Sequence, residues 1–521
     1  MEAVQRPRRS PHWALWLILV VVGITLWRIL AAWLMPVTQD EAYYFDWARH
    51  LAWGYFDHPP GVALLGLGIW LEPGSTLAGR LGNLIAATAT LFVLLSFYRN
   101  AGLASAQDRL LALVLAVATI PGLAVGVLTT PDSVLALAWA LALHEALAAL
   151  QRDRRRWVAV GVVVGLGLLG KYTMVLIGPV LLWALLRADP GALRTRWPYL
   201  GALAALLVFL PHLIWNAQHD WLTMRFQFGH GFALDTGAAV DTALPEPLAA
   251  AATPVPVASP GWGGLLGYAG QQIALLGVFA LPLLAALFGR GAWRRIRADL
   301  GAHLDPKARP LLHAGTLVPL AFFAVAAWRS EAEANWPVVY LLAAAPLLAL
   351  AARPLWRWLM AAAAINVLLV SLYVVHGATA ALPLPDSGQR ILRETYGFRE
   401  LAELAARLDG PVFTDRYQAT AMLRFYAPPL GVGQWPGLTR PSEYLRGSFA
   451  NGDAAKRIEE ASGFWLIARS PGHELPGFRL AEARTLFICQ GEGVIEAADP
   501  PCAQPLRVWR LYRYQPESIG G

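Results

Sequence analysis

Apolar stretches of roughly 15 to 25 residues recur along most of this chain, beginning with "PHWALWLILVVVGITLWRILAAWL" at 11–34. No other feature restricts the fold as strongly. Lipid offers no water to backbone N–H and C=O groups, so a crossing segment must satisfy them internally as a helix. A length of 521 residues would by itself suit about three soluble domains. A composition that is 56% hydrophobic and 15% charged, with mean hydropathy +0.45, overrides that expectation. The sequence predicts a polytopic α-helical membrane protein.

Spans are expected near 13–35, 80–98, 110–128, 133–150, 157–170, 173–187, 197–215, 262–288, 311–328, 337–351 and 356–376, which sets their number at about 11 to 13. The run Val62–Leu71 is too short to cross and is expected to lie at the interface or to re-enter. If the spans alternate, "RPRR", "QRDRRR", "RADPGALRTR", "RGAWRRIRADLGAHLDPKAR" and "RPLWR" share one face. That face holds about twenty Lys/Arg and the short opposite loops about five, so it should be cytoplasmic together with the N-terminus. The net charge of +7 and pI near 9.5 therefore reflect topology and not a phosphate-tracking nucleic-acid surface. The first run is longer than a signal-peptide core and has no small-x-small cleavage site, which favours an uncleaved span. Only Lys171, Lys307 and Lys456 are lysines beside many arginines. This bias suits a GC-rich bacterium, with the protein multi-pass in the inner membrane.

The polar clusters fall on the other, periplasmic face: "TQDEAYYFDWARHLAWGYFDHPP" from Thr38, "TTPD" (Thr129–Asp132), "GKYT" (Gly170–Thr173), "WNAQHDWLTMRFQFGHG" (Trp215–Gly231) and "RSEAEANWP" (Arg329–Pro337). Five separated loops sharing one face have the organisation of a site. Residues 237–260 are Pro/Ala-rich and read as a mobile outer loop. Beyond 380 the apolar runs stop. "FRELAELAARL" and "YQATAMLRFYA" read as helices, and "PVFTD", "GFWLIAR" and "LRVWRLYRY" as strands. The expected division is a transmembrane domain over 1–379 and a periplasmic α/β domain over 380–521. Cys489 and Cys502 both lie in the latter, where an oxidising compartment favours a disulfide over two core thiols.

Each motif has an alternative to weigh. "GLGLLGKY" (Gly165–Tyr172) satisfies G-x-G-x-x-G and approaches a Walker A pattern, but both need a strand–loop–helix in water. Inside an apolar span the same glycines allow close helix packing. Lys171, at a span's end, either snorkels to the interface or holds an anion such as a lipid phosphate. Asp40 and Glu41 either cap the helix that follows or supply a general base, one supporting the other. Asp132 faces the same choice. Asp57-His58 before two prolines is a polar pair on a rigid turn, with substrate contact as its expected role. Trp215, Asn216 and His219 suit sugar or headgroup contact, although Trp also populates the interfacial belt. Tyr43, Asn335 and Trp336 complete the expected substrate contacts, and Arg225 is a further candidate phosphate ligand. A divalent metal would draw on Asp57, His219 or His230, without tight ligand spacing to support it.

"DEAYYFDWARHL…GYFDHPP", "TPD", "GKYT", "PHLIWNAQHDW" and "NWPVVY" resemble the bacterial glycosyltransferase family 39/83 group, which has the GT-C fold and is similar to the lipid A aminoarabinose transferase and the protein O-mannosyltransferases. The resemblance covers about residues 10 to 380. It implies a polyprenyl-phosphate-linked sugar donor, a lipid, glycan or protein acceptor, and transfer at the periplasmic face with inversion. Asp40 stands at the family's first-loop catalytic acid and Asp132 at its second acidic position. Asp57-His58 stands where some members have Glu-Lys, which leaves His58 a pH-dependent phosphate ligand and puts more weight on Lys171 and Arg225. A polyprenyl-lipid or sugar transporter is the rival reading, but transporters place polar groups near mid-bilayer between repeated halves. An envelope scaffold would leave the carboxylates without a task.

Overall fold

A computed structural model describes residues 11–232, 261–329, 333–446, 458, 460–472 and 474–517; the side chains of Pro11 and of residues 228–232 lie outside the description. The expected loop at 237–260 and the side chain of His230 therefore lie outside the described residues.

Every one of the eleven expected spans is helical. Among the described residues, six helices are long and apolar enough to cross a membrane: His12–Leu34, Thr76–Asn100, Pro131–Gln151, Trp197–Gln218, Ala308–Arg329 and Arg353–Thr379. The expected spans at 157–170, 173–187 and 337–351 are shorter helices, Trp157–Leu168, Ile177–Ala188 and Tyr340–Ala351. The one at 110–128 is broken into Ala106–Val117 and Ile120–Val125. Val62–Leu71 forms a short helix, Gly61–Leu65, and one 3-10 stretch, Gly66–Trp70.

The expected single span at 262–288 is instead two helices bent by 104°. The cause is local. Gly277 has φ +61°, a left-handed conformation that L side chains resist. Asn366 fills the space where a Cβ would stand and ties the break together. Its Oδ1 accepts from Val278 N–H at 2.9 Å, and its Nδ2 donates to Leu276 O and Ala118 O, both at 3.0 Å. Asn366→Leu should leave these backbone groups unsatisfied and lower stability by about 3 kcal/mol, read as a lowered melting temperature in detergent.

The glycines of "GLGLLGKY" lie in and just after helix Trp157–Leu168, so the segment has no phosphate-binding loop geometry. Upstream on the same helix, a Cβ at Gly161 would strike Gly201 O, and one at Gly201 would strike Trp157 O. Small residues bring these two helices into backbone contact.

The chain forms two compact units. The first comprises the described parts of Met1–Leu30, Asn83–Ile214 and Ala258–Val370, and the second those of Ala31–Gly82, Trp215–Val257 and Ser371–Gly521. The second unit contains a six-stranded sheet of β1 (Val412–Thr414), β2 (Gly433–Gln434), β3 (Phe464–Ala468), β4 (Phe478–Cys489), β5 (Gly493–Glu496) and β6 (Arg507–Pro516). The strand order is β2-β1-β3-β6-β4-β5; β1 runs parallel to both neighbours and the remaining pairs are antiparallel. The strands read at "PVFTD", "GFWLIAR" and "LRVWRLYRY" are present as β1, β3 and β6, and helices Phe398–Ala405 and Tyr417–Tyr426 are present as expected. Strand β4 was not anticipated, because the charges of "FRLAEARTLFIC" mask its alternation. Cys489 and Cys502 are joined by a disulfide with Cα atoms 6.2 Å apart.

Candidate active site

The helix Gln39–Arg49 begins with a capping box. Thr38 Oγ1 accepts from Glu41 N–H at 3.4 Å, and Glu41 Oε2 accepts from Thr38 N–H at 3.2 Å. Arg80 then grips the same carboxylate, Nε to Oε1 at 2.7 Å and Nη2 to Oε2 at 2.6 Å, and also donates to the carbonyls of Ala32, Met35 and Pro36. Both side chains are fully buried. The expectation of a catalytic Glu41 is therefore corrected: its two oxygens are committed to holding the helix start, and a fixed, buried carboxylate has no route to a substrate.

Asp40 is the opposite case. Its surface is open, and Tyr417 Oη–H donates to its Oδ1 at 3.2 Å. Protein crowding displaces bulk water around the carboxyl and, with Glu394 adding like charge, raises it to about 6 against the pull of Arg440. A carboxylate tuned this far sits close to the range useful for a general base.

Asp57 is 5% exposed. Arg440 Nη1 lies 2.7 Å from its Oδ1, while Oδ2 is buried without a hydrogen-bond partner. Arg440 also lies over the rings of Tyr417 at 4.2 Å and Phe226 at 5.1 Å. Burial opposes its charge, but Asp57, Tyr417 and Tyr43 outweigh burial and hold the guanidinium above its ordinary pKa. Glu443 accepts from Phe56 N–H at 2.6 Å, and burial raises it to about 7 despite Arg446. Tyr43 is 1% exposed; it accepts from Glu443 N–H at 2.7 Å and packs against Trp47, Tyr417 and Tyr444. It is a wall of the site and not the expected substrate contact. His58 is half-buried, its Nδ1 3.4 Å from Gln227 Nε2.

Trp215 and His219 stack at 4.1 Å and 15°, and His219 Nδ1 lies 2.7 Å from Trp215 O. The Trp215 ring fills the space over Gly54, where no Cβ fits. Asn216 is buried and accepts from Met224 N–H at 3.4 Å, closing a turn in which Asp220 and Trp221 adopt φ +53° and +57°. This corrects Asn216 from substrate contact to turn builder. Arg225 Nη1 donates to Asp220 O at 3.3 Å within the same turn. Among the described residues no three His, Cys, Asp or Glu side chains group as a metal ion requires. Asp57 is paired with Arg440, and His219 is occupied by Trp215.

In the first unit, Lys171 Nζ lies 2.7 Å from Asp132 Oδ1, and Asn335 Nδ2 donates to Asp132 Oδ2 at 3.1 Å. The lysine and aspartate side chains are 11% and 10% exposed. Lys171 thus folds onto a carboxylate and does not snorkel. Asp132 is not needed as a cap either, because Ser133 Oγ accepts from Thr130 N–H at 3.3 Å at that helix start. Trp336 is half-buried and packs beside Phe323 at 5.8 Å against the apolar interior.

Tyr417, Arg424, Arg440 and Glu443 were missed from sequence. All come from beyond residue 380 and close on Asp40, Asp46, Asp57 and Phe56. No local motif marks them; only pairing with residues nearly four hundred positions away does.

Apolar membrane-length helices, a short acid-bearing helix and a small α/β sheet are the elements expected of a GT-C fold. The comparisons agree. Residues 57–215 match the family described as dolichyl-phosphate-mannose-protein mannosyltransferase. The lipid A galacturonosyltransferase RgtD of Rhizobium johnstonii is 32% identical over 225 residues, 40% of this chain and 45% of that protein. The aligned region thus spans less than half of that relative's length. The structure of ArnT from Cupriavidus metallidurans bound to undecaprenyl phosphate superposes with TM-score 0.61 at 14% identity, covering 98% of this chain and 99% of that one. Its apo state gives 0.59 at 14% identity, covering 96% and 98%. The chain thus shares the fold of ArnT, and over residues 57–215 it is similar in sequence to the protein-mannosyltransferase family.

Proposed function

We propose that the protein moves a monosaccharide from a polyprenyl-phosphate carrier to a glycolipid, glycan or protein acceptor at the periplasmic face of the inner membrane, with inversion. The observation that carries the reading is Asp40: an open carboxyl held at about 6 at the start of a helix, hydrogen-bonded to Tyr417. In the step proposed, the acceptor hydroxyl gives its proton to Asp40 while its oxygen bonds to the anomeric carbon. The bond from that carbon to the phosphate oxygen breaks, and phosphate leaves with the electron pair. The donor is already activated, so no nucleotide is required. In the unit that carries Asp40, His58 and Arg225 are assigned to the phosphate; in the other unit, Lys171 is by itself a candidate phosphate ligand, oriented by Asp132 with Asn335. The RgtD and ArnT likenesses support a lipid-phosphate donor and an envelope glycolipid acceptor. The basic-loop asymmetry supports a cytoplasmic N-terminus and a periplasmic region after 380.

Purified protein in liposomes with labelled polyprenyl-phosphate sugar and envelope glycolipids tests the reading. Label should appear on acceptor, with free polyprenyl phosphate formed in equal amount. Relocation of intact donor across the bilayer would indicate a transporter instead.

A further inference from the structure

Asp40 is held from one side by a chain of three groups. Tyr417 Oη–H donates to Asp40 Oδ1 at 3.2 Å. Over the same phenol ring, 4.2 Å from its centroid, lies the guanidinium of Arg440. Arg440 Nη1 in turn lies 2.7 Å from Oδ1 of Asp57, a carboxylate that is 5% exposed. All four residues belong to the second unit.

The other charged groups around them are committed elsewhere. Glu41 is gripped by Arg80, Arg424 lies 2.5 Å from Asp46, and Arg393 lies 2.6 Å from Asp386. Glu394 lies 2.8 Å from Arg390, and Glu443 accepts from Phe56 N–H with Arg446 3.6 Å away. Tyr43 and Tyr417 are phenols whose ionisation burial pushes far up, so both stay neutral. On the Asp40 carboxyl, burial and Glu394 act upward, Arg440 acts downward and Asp57 acts upward again.

A cation over a phenol face draws electron density from the ring and makes its hydroxyl a stronger donor. The same charge favours an ionised carboxylate nearby. Arg440 is 39% exposed, and a long side chain with that much access to water keeps one pose only where partners pin it. Asp57 and the rings of Tyr417 and Phe226 are those partners.

We propose, on the reading that Asp40 is the base, that Arg440 is a positioning residue for transfer: anchored by Asp57, it clamps Tyr417 onto Asp40 and favours the carboxylate over the acid. The two halves of the ion pair then act on Asp40 in opposite senses. A pair that merely tied two loops together would be broken alike from either side.

The full chain in detergent is labelled across a pH series with dicyclohexylcarbodiimide, which attacks protonated carboxyls. Label at Asp40 is quantified by peptide fragmentation, and single-turnover transfer is followed over the same range. Arg440→Met should move the labelling midpoint up by about one pH unit and lower the rate near pH 5, relative to the variant's own plateau, about tenfold. Arg440→Lys restores the charge and should bring the midpoint back toward wild type. Asp57→Asn should move it down, because the amide keeps an oxygen for Arg440 and removes only the opposing charge. Asp57→Asn also keeps the test open if Arg440→Met misfolds: the Met variant strands a buried carboxylate, whereas the Asn variant leaves a guanidinium that water reaches. Midpoints that move the same way in Arg440→Met and Asp57→Asn, or stay at the wild-type value in both, would overturn the role of Arg440. Midpoints that separate as stated, in a chain whose transfer rate shows no matching limb, would contradict the proposed function and leave the hold of Arg440 on Asp40 standing.

Discussion

Asp40→Asn is expected to lower turnover about 10²- to 10⁴-fold while donor binding stays near wild type. The amide keeps the shape and still accepts the Tyr417 hydroxyl, but it cannot take a proton. Stability should not suffer. Folding raises this carboxyl from the ordinary range to about 6, so the folded state disfavours its ionised form. That penalty is absent at low pH and sets in as pH rises from the ordinary carboxylate range through 6. A neutral Asn escapes it, and the variant should melt no lower than wild type at pH 7. A melting-temperature scan beside single-turnover assays separates lost chemistry from lost fold.

Lys171→Met should produce the largest loss of stability. It strands the Asp132 carboxylate, itself only 10% exposed, with Asn335 as its sole remaining described partner. Breaking a nearly buried pair from one side costs about 3–5 kcal/mol. Adding Asp132→Asn removes the stranded charge, and the double variant should recover most of the melting temperature. If Lys171 also holds the donor phosphate, the double variant stays weak in donor binding despite its recovered fold. Full recovery of both would make the pair purely structural.

The sequence carried the membrane helices because their signal is local and long: an apolar run must be a helix wherever lipid surrounds it. It carried Asp40, Asp132 and Lys171 as candidates because polar residues beside such runs stand out. It did not separate Asp40 from Glu41, since only Arg80, thirty-nine residues on, decides which carboxylate is committed. The break at Gly277 was equally hidden, because the glycine and the Asn366 that clamps it are 89 positions apart in the chain. The grouping of 31–82 with 371–521 in one compact unit depends on Arg424–Asp46 at 2.5 Å, Arg440–Asp57 at 2.7 Å and Tyr417–Asp40 at 3.2 Å. Such long-range charge pairs leave no trace in periodicity.

The pH dependence of single-turnover transfer tests the role of Asp40 most directly. A base with its carboxyl at about 6 predicts a rate that climbs about tenfold per pH unit below that point and levels above it. The same limb should persist in Glu443→Gln, since Glu443, raised to about 7, is assigned no proton transfer. A rate that is flat from pH 4 to 8, or a limb that vanishes with Glu443 and survives in Asp40→Asn, would contradict the account.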